Sequence, residues 1–178
     1  DLTGFGTVAM INVVQDQVGA TSYTVETKGL SYIPVVPGTT YDASLITTLP
    51  GNPVVSANHG TTTATDNATI TTTQTSTTTF GAVSNVPEDG DFTFSTIGWG
   101  YFDATDTFVG TGASLPNTVT LALNGTAGRT LKLEFVSTSD PNVKKVFSVT
   151  LSASQQNFSF DLTGFGTVAM INVVQDQV

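Results

Sequence analysis

The chain has 178 residues, a formal net charge of −9, only 11% charged side chains, no cysteine and a single histidine. Five basic against 14 acidic residues leave no basic stripe for phosphates, which argues against a nucleic-acid partner. The missing thiols exclude disulfides, thiolate metal sites and cysteine nucleophiles, and one histidine cannot build a histidine metal cluster.

The length suits one domain with an additional segment, and 39% apolar residues including 11 Phe can fill a core. No apolar run is long enough for a membrane-spanning helix. Asp1-Leu2-Thr3 shows neither the basic flank nor the apolar run of a signal peptide, so the sequence reads as a mature or excised piece. Low charge with many Thr, Ser and Gly points to an extracellular or cell-surface β-protein.

Along the chain, the first element decides most of the reading. Residues 1–18, from Asp1 to Val18, recur without one change as Asp161 to Val178. Such identity exceeds chance, and an old duplication would have drifted at positions such as Thr3, Gln15 and Gln17. Three readings stand: a window on an array of 160-residue repeats, a strand supplied twice so that a neighbour or the chain itself can be completed, or an artificial addition. The segment is apolar on both faces at Val168, Met170, Ile171 and Val173, as a strand inside a sandwich would be. These four residues are the expected assembly strand.

Residues 19–36 continue the first copy through Tyr23-Thr24-Val25-Glu26 to Leu30 and Ile33. They read, with 1–18, as the terminal strands of a preceding repeat. Pro37-Gly38 closes this region, and 37–60, with Pro50, Gly51 and Pro53, reads as a linker or extended segment. His59 falls there as an exposed loop residue. The stretch 61–178 is then expected to be a sandwich lacking its closing strand. Thr61 to Thr79, with Ile70 its main apolar anchor, fits either an edge strand or an O-glycosylated stalk. Glu88-Asp89-Gly90-Asp91 gathers carboxylates around a glycine, and Asp103 and Asp106 flank Ala104-Thr105 in an expected loop. Together these five acids form a candidate calcium site, though without EF-hand spacing and with a solvated turn as the alternative.

Phe92 and Phe94 alternate with Thr93 and Ser95, then Trp99, Tyr101 and Phe102 follow. The three aromatics are candidates for stacking on a sugar, against the plainer alternative of core packing. Val119, Leu121 and Leu123 run into the turn 124–128 and back through Leu131, Leu133 and Phe135, which predicts a hairpin. A second turn at Ser139-Asp140-Pro141-Asn142 leads to Phe147, Val149 and Leu151, and Phe158 and Phe160 follow. No helical periodicity appears, so the class is all-β. Asn67, Asn124 and Asn157 head sequons that permit N-glycosylation. Asp103 with Glu134 or Glu88 offers a carboxylate pair, but nothing places two at a cleft, and the chain does not read as an enzyme.

Several stretches carry a resemblance: Trp99-Gly100-Tyr101-Phe102, Asn117 to Asn124 before Leu131-Lys132-Leu133-Glu134-Phe135, Asn157 to Gly164, and Met10 to Asp16 ahead of Tyr23-Thr24-Val25. In their order they resemble the jelly-roll domains of the carbohydrate-binding-module, galactose-binding-like group. The resemblance implies a jelly-roll-like antiparallel β-sandwich and a concave aromatic face for glycans. It also implies a calcium near the ends of the first and last strands, although Lys28 and Gly29 stand at the position comparable to an acidic ligand. The functional expectation is a structural repeat of an extracellular filament or surface fibre. Its partners would be copies of itself, joined by tandem linkage or donor-strand exchange. The alternatives are a carbohydrate-binding module or an adhesin extender domain.

Overall fold

The computed structural model describes residues 38–61, 68–86, 93–102 and 112–176. They form eleven strands in chain order: β1 Thr39–Leu45, β2 Val54–Thr61, β3 Thr69–Gln74, β4 Thr79–Asn85, β5 Thr93–Gly100, β6 Ala113–Ser114, β7 Thr118–Gly125, β8 Thr130–Ser137, β9 Lys144–Thr150, β10 Gln156–Asp161 and β11 Thr167–Asp176. No helix occurs among the described residues. Sheet A runs β10-β7-β1-β4-β3 and sheet B runs β2-β5-β11-β8-β9, with β6 attached to β11, and every pairing is antiparallel.

The topology resolves into two nested ribbons. β1 pairs with β7, β2 with β5 and β3 with β4; then β5 pairs with β11, β7 with β10 and β8 with β9. Within each nest successive pairs alternate between the sheets, which is a long antiparallel hairpin folded over on itself in jelly-roll fashion. The expected jelly-roll-like β-sandwich is therefore the observed architecture.

The inner faces supply the core by alternation, interrupted on β11. Tyr41, Ala43, Phe80, Val119, Leu121 and Leu123 from sheet A meet Ile97, Trp99, Leu131, Leu133, Phe135, Ile171 and Val173 from sheet B. Phe160 and Phe147 pack with centroids 5.1 Å apart, and Phe135 lies 5.7 Å from Phe160, so three rings form one cluster.

Some expectations change. Residues 37–60, read as a linker or extended segment, contain β1 and most of β2, and β1 lies in the middle of sheet A. The Pro and Gly that suggested a linker belong to the connection 46–53 between these strands. His59 accordingly sits on β2, exposed but paired in register with Ser95. β7 and β8 do not form a hairpin: the turn between them carries the chain from sheet A to sheet B, and β7 pairs instead with β1 and β10. Both strands send apolar side chains inward from opposite sides, a pattern that alternation alone cannot distinguish from a hairpin. On β5 the inward positions are Thr93, Ser95, Ile97 and Trp99, so Phe94 faces outward. The threonine stretch supplies β3, the edge strand of sheet A, over Thr69–Gln74. Residues 1–36, expected to provide closing strands, lie outside the described residues.

The chain enters and leaves the described sandwich at one pole. Thr39 stands opposite Ser84, the Ser84 and Ser95 hydroxyls meet across the sheets, and Ser95 stands opposite Gln175. Thr39, Ser84, Thr93 and Ser95 are all buried there, a polar patch that closes this end of the core. At the opposite pole lie the 46–53 connection and Trp99.

β5 and β11 approach closely at Gly98, where any Cβ would collide with the carbonyl oxygen of Ile171. Gly98→Ala is expected to lose about 1–3 kcal/mol or more of stability by forcing these two strands apart, read as a lower urea midpoint.

Candidate functional site

The repeated segment is β11. It pairs with β5 from Met170↔Gly100 to Asp176↔Phe94 and with β8 from Val168↔Ser137 to Val174↔Lys132, so both of its backbone edges are filled. Lys132 on β8 forms an ion pair with Asp176 at the end of the strand.

A bulge between Val168 and Met170 rephases β11. It lets Val168 and Ile171, three residues apart, both point into the core, where they and Val173 are fully buried. Each burial is worth about 1.5–3 kcal/mol. Of the four expected assembly residues, Val168, Ile171 and Val173 thus line the core. Met170 does not: the bulge turns it to the outer face, where it is half-buried.

That outer face holds a groove of about 580 Å³. Gly98 and Gly100, which carry no side chains, lie between Phe94 and Phe102, and Phe102 folds back over Gly100. Met170, Asn172 and Val174 from β11, Ser56 and Asn58 from β2, and Thr96 are among the residues that line it with the two rings. Its two carboxylates are both matched by cations: Glu134 with Lys144 at 2.8 Å, and Asp176 with Lys132. The groove is neutral, part apolar and part amide and hydroxyl.

The expected glycan-binding aromatics are divided between two faces. Trp99 is fully buried, stacks on Phe80 at 4.9 Å and donates from Nε1 to the Thr77 carbonyl at 3.1 Å. Tyr101 is also buried, its backbone amide donates to Ala169, and burial pushes its phenol up to about 12. Phe102 alone of the three lines the groove. Alternation explains this outcome: Ile97, Trp99 and Tyr101 share one parity and fill the core. Phe94, Thr96 and Phe102 share the opposite parity, the one signal in the sequence that could have marked the groove.

The candidate calcium ligands Glu88, Asp89, Asp91, Asp103 and Asp106, and the sequon residue Asn67, lie outside the described residues. Among the described residues no cluster of three metal-ligating side chains occurs. Asn124 and Asn157 both face outward from sheet A. Asn124 is half-buried on β7 and donates its amide to Asp42 Oδ2 at 3.1 Å, whereas Asn157 is exposed on the edge strand β10.

Asp161, where the repeated segment begins, is held below the usual carboxylate range by the hydroxyl and then the backbone amide of Thr163, the latter at 2.8 Å, with Lys145 adding attraction. Comparison with protein-family models, curated proteins and solved structures found no match to the chain.

Two outcomes follow from these placements. Trp99→Ala should cost about 3–5 kcal/mol in denaturant unfolding, whereas Phe102→Ala should cost far less, because only the first removes core volume. Because the Asp161 pKa is lowered by folding, its contribution is full above the ordinary carboxylate value and fades as pH falls through the lowered one. Asp161→Asn should therefore flatten the acid limb of a stability-versus-pH curve.

Proposed function

We propose that the chain is a structural repeat of an extracellular filament or surface fibre, linked to its neighbours in tandem, with exchange of the duplicated strand as a variant of the same joint. The observation that carries this reading is the identity of the duplicated segment: it is the strand in the middle of sheet B. A period of 160 residues contains one seat for that strand and one copy of it, so every sandwich in an array closes with none left over. The five residues 162–166 that join β10 to β11 favour closure by the contiguous copy.

Composition supports the same reading. A chain without cysteine and with few charges takes its durability from long backbone ladders and apolar packing. Immunoelectron microscopy on the cells that make the protein should place antibodies against this chain on surface fibres. Label confined to the cell interior would overturn the reading.

A second reading, a carbohydrate-binding module, is favoured by the groove over sheet B. Two rings with the side-chain amides of Asn58 and Asn172 and no uncompensated charge suit a neutral polyhydroxyl ligand. Glycan-array binding lost in Phe102→Ala with the fold retained would support it over the structural role, and an array blank for both chains would dismiss it.

A further inference from the structure

We propose that the seat between β5 and β8 is a binding site for residues 1–18 of a second copy of this chain, with the chain's own 161–178 as the competing occupant. This rests on the reading of the chain as a repeat unit, and it names the partner and the control of the joint.

The identity of the two segments makes every contact transferable. Val8, Ile11 and Val13 correspond to the buried Val168, Ile171 and Val173, and Asp16 to the partner of Lys132. The same rephasing residues, from Gly4 to Met10, come with the copy, so the register is carried within the segment. The seat is also where such a strand gains most. It offers two ladders and the core, whereas the outer edges of β2, β3, β9 and β10 offer one ladder each.

With equal contacts, tethering decides the competition. Residues 161–178 follow β10 through five residues, whereas 1–18 are joined to β1 through residues 19–38. The shorter connection gives the higher effective concentration, in the millimolar range for short linkers, so each chain closes its own sandwich first. Residues 1–18 of a second copy then compete only for a seat whose own strand is missing or defective. Two occupied seats gain nothing from exchange, so exchange joins neighbours only where a seat lacks its own strand. A vacancy is what recruits a neighbour.

The test uses the full chain. A variant with Ile11→Asp, Val13→Asp, Ile171→Asp and Val173→Asp has no competent strand and is expected to show no cooperative unfolding alone. Mixed with the unaltered chain, it should form a 1:1 complex by size exclusion with light scattering and regain a cooperative transition. Replacing the unaltered chain by one carrying Ile11→Asp and Val13→Asp should weaken that complex by about a hundredfold or more, because buried carboxylates stand where Ile11 and Val13 would pack. No complex with the unaltered chain, an equal complex with the Ile11→Asp, Val13→Asp chain, or independent folding of the fourfold variant would each overturn the proposal. Should the fourfold variant aggregate, Ile171→Asp with Val173→Asp decides the matter. A cooperatively folding dimer or larger assembly is expected because residues 1–18 of a second copy take the seat, and an unfolded chain or a cooperatively folded monomer overturns the proposal. Fibres missing from labelled cells leave these outcomes untouched, and failure here leaves covalent tandem linkage standing.

Discussion

The two-sided pairing of β11 is the constraint on which the sandwich depends. Without it, sheet B falls into β2–β5 and β8–β9, and isolated two-stranded ribbons are marginal in water. The same strand also closes the outer pair of the second nest, so its loss opens the roll and the sheet together. Its bulge serves both faces at once. Val168 and Ile171 reach the core, while Met170, Asn172 and Val174 form one side of the outer groove.

Much of this was legible in the amino-acid sequence because the strongest signal, alternation, reports which side chains are inside. It placed Leu121, Leu133, Val149 and Phe160 correctly in the core, and it put the duplicated segment among buried strands. Alternation does not report which strand is the neighbour. The turn after Asn124 therefore looked like a hairpin, when it is a crossing between sheets. Nor does it register a strand whose inward residues are mostly small or hydroxylated, as β1 buries Thr39 and Ala43 around a single large Tyr41. On β5 the strand was legible but its inner face was not, because that face begins with Thr93 and Ser95.

The candidate site was less legible for a related reason. Aromatic residues near the end of β5 drew attention as a surface platform, but a fully buried Trp99 with its indole nitrogen satisfied by Thr77 is core. What marks the groove is the outward parity of β5 and the residues just after it, on which Phe94, Thr96 and Phe102 lie. Two rings eight residues apart carry a weak signal in a pattern read from hydrophobicity. The acidic cluster from Glu88 to Asp106 rests on sequence alone, since none of it lies among the described residues.

The common pole of Thr39 and Asp176 has a mechanical consequence. Tension applied through both attachments would pull on the middle strand of each sheet from the same side. Hydrogen bonds in the β1 and β11 ladders would then meet the load one after another, as in a zipper, instead of sharing it as they do when strands are sheared lengthwise. A module hung in this way gives length at low force, and its far pole, with the 46–53 connection, bears none of the load.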